Sequence, residues 1–151
     1  NCTGAWVLTE VMHMQKIFVY GTLLKDCRNY RKYLENHVGH IQSAYVRGTL
    51  YSIKNKDYPA LLEGNDFIAG EIMEIDDSLC DVLDRLEGFR GDGDLMNEYN
   101  KKTVWIYDLD FQPIIKLPVY FYNIQHPEQI HSLNEEIKSG SYRTWLNEHV
   151  F

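Results

Sequence analysis

The sequence predicts an α+β domain with a small, mixed, strongly curved or closed β-sheet and two or three flanking helices. Three observations predict it. From Ala44 to Ile53 the side chains alternate, with Tyr45, Arg47, Thr49 and Tyr51 on one face and Ala44, Val46, Gly48 and Leu50 on the other, which is the period of a strand. Leu79, Val82, Leu83 and Leu86 recur at the spacing of one helix face. Tyrosine is unusually frequent, eleven in all, and Tyr45, Tyr51, Tyr99, Tyr107, Tyr120 and Tyr122 fall in strand-like segments, favouring a β-rich fold with a partly polar interior or cleft. At 151 residues, 44% hydrophobic and 25% charged, the chain fits one soluble domain large enough for a real core. No repeat, low-complexity tract or proline-rich linker divides it.

The elements follow in order. Residues 1–13 read as an upstream or expression-derived extension, with Met14-Gln15-Lys16-Ile17 as the natural start of a domain spanning 14–151. Ile17–Tyr20 is a short apolar run that fits a buried strand, and it ends in the glycine turn Gly21-Thr22-Leu23. Arg28–Leu34 fits a short helix. Ala44–Ile53 is a strand, and Tyr58–Leu62 and Phe67–Ile75 are two more, separated by the turn Glu63-Gly64-Asn65-Asp66. Asp76 or Asp77 caps a helix that Gly88 stops. A polar loop, Phe89–Asn97, leads to strands at Tyr99–Tyr107 and Ile114–Asn123, the latter at an edge or bulge because of Pro118. In the tail, Tyr142, Trp145, Leu146 and His149 share a helical face.

Composition excludes several functions. A net charge of −7, with no run of basic residues, argues against nucleic acid as a partner, since phosphates call for a basic stripe. No apolar stretch approaches the roughly 20 residues that span a bilayer, so no membrane partner is expected. Cys2, Cys27 and Cys80 are odd in number and unrelated in spacing, which reads as reduced thiols in a cytoplasmic protein. The six histidines are dispersed; His37 and His40 have helical spacing, but Gly39 breaks the helix and no carboxylate completes a ligand set. No dinucleotide or phosphate-loop glycine motif is present, so neither metal nor cofactor is expected. Oligomeric state is not readable.

Two features carry chemistry. Glu87 follows Leu79 and Leu83 at steps of four and so continues the buried stripe. At the helix C-terminus it also faces the negative end of the dipole, a penalty of roughly 0.3–1 kcal/mol for a carboxylate. Burial and dipole both raise its pKa toward the range useful to a general base; the alternative is a frayed end with Glu87 in solvent. Asp84, one turn back, reads as solvated. The turn after Tyr20 is the second feature. Gly21 permits close approach of a ligand, and the N–H groups from Gly21 to Leu23 suit a carboxylate or an oxyanion, although an ordinary strand-end turn has the same sequence. Tyr120 and Tyr122 place two phenols on one strand face, suited to gating a pocket or bonding a substrate, or simply to a tyrosine-rich sheet surface. Neither Cys27 nor Cys80 has a histidine placed to activate it, so thiol catalysis is not expected. A donor-rich turn and an awkwardly placed acid are the parts of an acid/base enzyme acting on a small polar substrate.

With these residues the chain resembles the γ-glutamylcyclotransferase-like family, in particular its small bacterial and γ-glutamylamine cyclotransferase branch. The likeness runs from about Lys16 to Leu146. It rests on Tyr20-Gly21-Thr22-Leu23 after the first strand, Gly48-Thr49-Leu50-Tyr51, Tyr58-Pro59-Ala60, Gly70-Glu71-Ile72, a helix ending Leu83–Gly88, Tyr120–Tyr122 and Ser139-Gly140-Ser141-Tyr142. The resemblance implies a compact β-barrel-like α+β fold, Glu87 as catalytic acid/base and Tyr20–Leu23 lining the substrate cavity. It implies release of a γ-glutamyl group as 5-oxoproline from a small-molecule substrate, with a non-catalytic binding module on the same scaffold as the alternative and an amide hydrolase behind it. The chain departs from the family pattern at Lys101, where arginine is usual, and in the longer stretch from Gly88 to Glu98. Both departures bear on the substrate more than on the fold.

Overall fold

The computed structural model describes residues 13–149. Among these residues six strands form one sheet: β1 (Met14–Val19), β2 (Val38–Ile53), β3 (Pro59–Asp76), β4 (Tyr99–Tyr107), β5 (Pro113–Tyr122) and β6 (Leu133–Glu136). The hydrogen-bonded order is β1-β3-β2-β4-β5, with β6 added to β2. Every pairing among the described residues is antiparallel, so the sheet they form is not mixed. The α+β class holds, with helices α1 (Cys80–Leu86) and α2 (Tyr142–Glu148). Among the described residues no helix is long and apolar enough to cross a membrane. The expected extension lies outside the described residues except for His13, whose carbonyl accepts the Asp77 N–H at 2.7 Å.

The strands expected at Tyr58–Leu62 and Phe67–Ile75 are one. Both flanks of Glu63-Gly64-Asn65 pair with the same neighbour and run the same way along it, Thr49 opposite Leu62 and Gly48 opposite Asp66. The three intervening residues therefore bulge out of register instead of reversing the chain. β2 starts at Val38, ahead of the apolar alternation, because a second irregularity between Val38 and Ile41 breaks the period there. β6 is short and polar, recruited by Tyr51 and Ile53 of β2, and nothing local in its sequence marks it. The expected helix at Arg28–Leu34 is a wide five-residue turn over Tyr30–Leu34, closed by the Glu35 N–H on the Tyr30 carbonyl at 2.8 Å.

The helix after β3 begins as the expected cap requires. The Asp76 carboxylate accepts the Ser78 N–H, a single 3₁₀ turn follows at Asp77–Leu79, and α1 continues it. Ser141 caps α2 by accepting from Thr144, and Tyr142 and Trp145 are the residues it buries. The main core gathers Phe18, Leu34, Val46, Leu50, Met73 and Leu83, and a smaller cluster holds Ile53, Ala60, Tyr99 and Tyr122. Cys27 is buried and Cys80 half-buried, both as free thiols. Among the described residues no backbone ladder joins β1 to β5, the two ends of the path. They are bridged instead by a side chain: the Tyr20 phenol at the end of β1 donates to the Tyr120 carbonyl on β5.

Candidate active site

That bridge closes one side of a cavity of about 180 Å³. This is smaller than the roughly 300 Å³ at which drug-sized sites begin, so it admits the head of a small ligand and leaves the remainder at its mouth. The glycine turn forms one wall. Leu24 donates to the Gly21 carbonyl at 3.0 Å, and Asn29 and Tyr30 both donate to the Thr22 carbonyl, at 2.9 and 3.1 Å. The buried Asn29 amide also donates to the Thr22 hydroxyl at 2.8 Å. The Gly21 and Thr22 carbonyls are thus used, whereas the N–H groups of Gly21, Thr22 and Leu23 have no acceptor among the described residues. All three residues line the cavity. Gly21 is required by space: a Cβ there would stand 2.9 Å from the Pro59 ring.

Glu87 lines the same cavity. It is the C-cap of α1, with its N–H on the Leu83 carbonyl at 2.9 Å and its own carbonyl accepting from Tyr99 at 3.2 Å. It is half-buried and lines the cavity, so the end of the helix does not fray into solvent. Burial, and secondarily the negative charge of Glu98, push its carboxyl up to about 8. Gly88 then turns the chain away in the left-handed region, φ +63°, where a side chain would be strained.

Tyr20 and Tyr120 also line the cavity. Burial raises the Tyr20 phenol well above its ordinary value, and the Glu87 charge adds to this. Tyr120 is raised by burial and by its bond to Asp84. Tyr122 is not brought to the cavity: its hydroxyl pairs with Ser132 at 2.6 Å and its ring packs on Tyr99. Asp84 is not solvated either. It accepts the Tyr120 hydroxyl at 2.5 Å and the Lys101 ammonium at 2.8 and 3.0 Å, so Lys101 acts behind the wall and not within it.

A family model described as gamma-glutamyl cyclotransferase, AIG2-like, matches residues 17–144. The chain belongs to the gamma-glutamyl cyclotransferase, AIG2-like family. A curated relative from Niallia circulans, named gamma-L-glutamyl-butirosin B gamma-glutamyl cyclotransferase, is 34% identical over 88 residues. That match covers 58% of this chain and 55% of the relative, so the chain spans about half the length of the curated relative it matches. Among solved structures, an AIG2-like protein of Mus musculus superposes with a TM-score of 0.61 at 24% identity, covering 82% of this chain and 88% of that one. Protein PH0828 of Pyrococcus horikoshii gives 0.60 at 20% identity, covering 89% and 94%. YkqA of Bacillus subtilis gives 0.61 at 23% identity, covering 87% of this chain and 40% of its own. These likenesses show the fold.

The cavity of this gamma-glutamyl cyclotransferase family member holds a second acid that sequence reasoning missed. Glu98 lines the same space. Its side chain is oriented by Tyr58, whose hydroxyl donates to Oε2 at 2.9 Å. Tyr99 lies buried beside it and donates to the Pro59 carbonyl at 2.6 Å. The signal available was Tyr58 itself, singled out within Tyr58-Pro59-Ala60, but its partner lies 40 residues away. Arg28 lines the cavity as well, and its guanidinium is engaged by both Asp57 oxygens at 2.8 and 2.7 Å.

Proposed function

We propose that the protein cleaves γ-glutamyl amines or amides by attack of the substrate's own α-amine on the γ-carbonyl, releasing 5-oxoproline and a free amine. The observation that carries this reading is a carboxylic acid of near-neutral proton affinity, Glu87, sharing with a turn of unclaimed N–H donors a cavity sized for a glutamyl head. Family membership adds the reaction class. Because the substrate brings its own nucleophile, no activated serine or cysteine is needed, and the two buried or half-buried thiols take no part.

The chemistry needs one residue that takes and returns protons. The α-nitrogen enters as an ammonium and leaves as a lactam N–H, losing two protons; the leaving nitrogen gains two. Glu87 as carboxylate removes the first proton, the freed amine closes the five-membered ring, and the resulting acid protonates the departing nitrogen. The second proton follows the same route, so Glu87 ends unchanged. Ring closure is intramolecular and carries a high effective molarity once the glutamyl chain is folded. The N–H groups of Gly21, Thr22 and Leu23 hold the α-carboxylate or the developing oxyanion, and Tyr20 and Tyr120 shape the wall beside it. Tyr122 supports Tyr99 from behind.

Purified protein incubated with a panel of γ-glutamyl amines and dipeptides is expected to release 5-oxoproline, detected by mass spectrometry, and Glu87→Gln none. Release of glutamate instead would identify an amide hydrolase. No product across the panel, with both proteins folded, would favour a non-catalytic binding module.

A further inference from the structure

The described lining of the cavity contains two carboxylates, Glu87 and Glu98, and one cation, Arg28. Arg28 is neutralised by Asp57 through two hydrogen bonds, and Lys101 is held behind the wall by Asp84. Within the cavity the acids therefore lack a protein counter-charge among the described residues. Glu98 is also rigidly placed. Its N–H donates to the Gly88 carbonyl at 3.0 Å, and its carbonyl accepts the Asn123 N–H and the Gln129 amide, each at 3.0 Å. Of its carboxylate oxygens, Oε2 accepts from Tyr58, while Oε1 has no donor among the described residues. Gly88 leaves room for this side chain: a Cβ on Gly88 would stand 2.9 Å from the Glu98 Cβ and 3.5 Å from Oε1.

An anchored carboxylate with one oxygen unclaimed, facing a small cavity, is complementary to a ligand that brings both a positive charge and several N–H donors; an ammonium brings one charge and three donors. The same cavity is lined by Gly21, Thr22 and Leu23, whose three N–H groups suit an anion. We propose that Glu98, oriented by Tyr58, is the ammonium-binding residue of this cavity, and that with the Gly21–Leu23 N–H groups it restricts the site to a zwitterionic α-amino-acid head. This rests on the cyclotransferase reading for the identity of the substrate, and it assigns a role to a residue outside that reading.

The pairing also governs when Glu87 acts. The Glu98 charge helps to keep Glu87 protonated. An ammonium arriving between the two carboxylates offsets that repulsion and favours the ionised base at the moment it is needed. The other ionisable groups facing the pair are the phenols of Tyr20, Tyr58, Tyr99 and Tyr120, all raised by burial and neutral at ordinary pH.

The test uses two ligands that differ only in the ammonium: γ-L-glutamyl-propylamide and N-propylglutaramic acid. Their binding is measured calorimetrically on Glu87→Gln, which cannot turn over, and on Glu87→Gln/Glu98→Gln. Glu87→Gln is expected to prefer the ammonium ligand by about 10-fold or more, as a charge-assisted contact implies, and the double variant to bind both within about 2-fold. Tyr58→Phe in the Glu87→Gln background keeps the charge and frees its orientation, so it should retain only part of the preference; this arm reads the proposal even if the double variant does not fold. A preference that survives both changes, or no binding of either ligand, overturns it. The two readings separate cleanly. A Glu98-dependent preference without 5-oxoproline release from the wild type leaves the ammonium site standing and removes the cyclotransferase, and 5-oxoproline release with a Glu98-independent preference does the reverse.

Discussion

Replacing Glu87 by glutamine removes an ionisable group while keeping its size, and the effect on stability depends on pH. Burial first and the Glu98 charge second raise this carboxyl from 4.5 to about 8, whereas the unfolded chain ionises it in the ordinary carboxylate range. Between those values the folded state holds a proton that the unfolded state releases, so the slope of stability against pH is negative. The stability tied to protonated Glu87 is complete below about 4.5, declines as pH rises, and is lost above about 8. At about 1.4 kcal/mol per pH unit the ionisation penalty is on the order of 5 kcal/mol at most. Glu87 is only half-buried, and solvent screening of the exposed part brings this to ~2–3 kcal/mol. Glu87→Gln is therefore expected to gain about 2–3 kcal/mol on the wild type between pH 5 and pH 9, or roughly 5–10 °C in Tm for a domain of this size. Denaturation of both proteins at pH 5, 7 and 9 measures it. A difference between them that does not change with pH would refute the reasoning, because it would place Glu87 in water in the folded state.

On the proposed mechanism the same acid is expected to set the rate profile: kcat/KM should fall about tenfold per pH unit below an acid limb near 8. The limb in kcat should lie lower, since the bound ammonium favours ionised Glu87, and coincident limbs would count against the ammonium lying between the two acids. Asn97 is fully buried, accepts from Arg90 at 2.7 Å and donates to Gly91 and Asn100 at 2.8 and 3.1 Å. Asn97→Ala is expected to cost ~1–3 kcal/mol in chemical denaturation, and to raise KM more than it lowers kcat because Glu98 is the next residue.

What could be read from the sequence was whatever local pattern encodes. Leu79 and Leu83 lead by helical steps to Glu87, Gly88 must end that helix, and a short apolar strand runs into Gly21; each signal spans fewer than about ten residues. What could not be read is convergence. Glu98 stands between a loop and a strand with no periodicity pointing at Glu87, and the backbone bond from Tyr99 to Glu87 brings the two acids together. Asp84 looked solvated because its partners Lys101 and Tyr120 lie 17 and 36 residues away. Tyr120 and Tyr122 share a strand face, but the cavity reaches only the first of them. The Glu63–Asn65 segment has the composition of a hairpin turn, and only the pairing of both flanks with β2 makes it a bulge.

The cavity draws its walls from stretches as far apart as Phe18 and Tyr120, including Pro59, Glu87 and Glu98. No short contiguous fragment of the chain contains it, so partial unfolding that detaches any one of these stretches dismantles the site. A ligand held there stabilises only the complete fold, by an amount that grows with the logarithm of its concentration above Kd. Hydrogen exchange should register this as slower exchange of the amides that open only by global unfolding, spread through β2 and β3, rather than as a local effect at the turn. Occupancy of this small space is thus coupled to the cooperativity of the whole sheet.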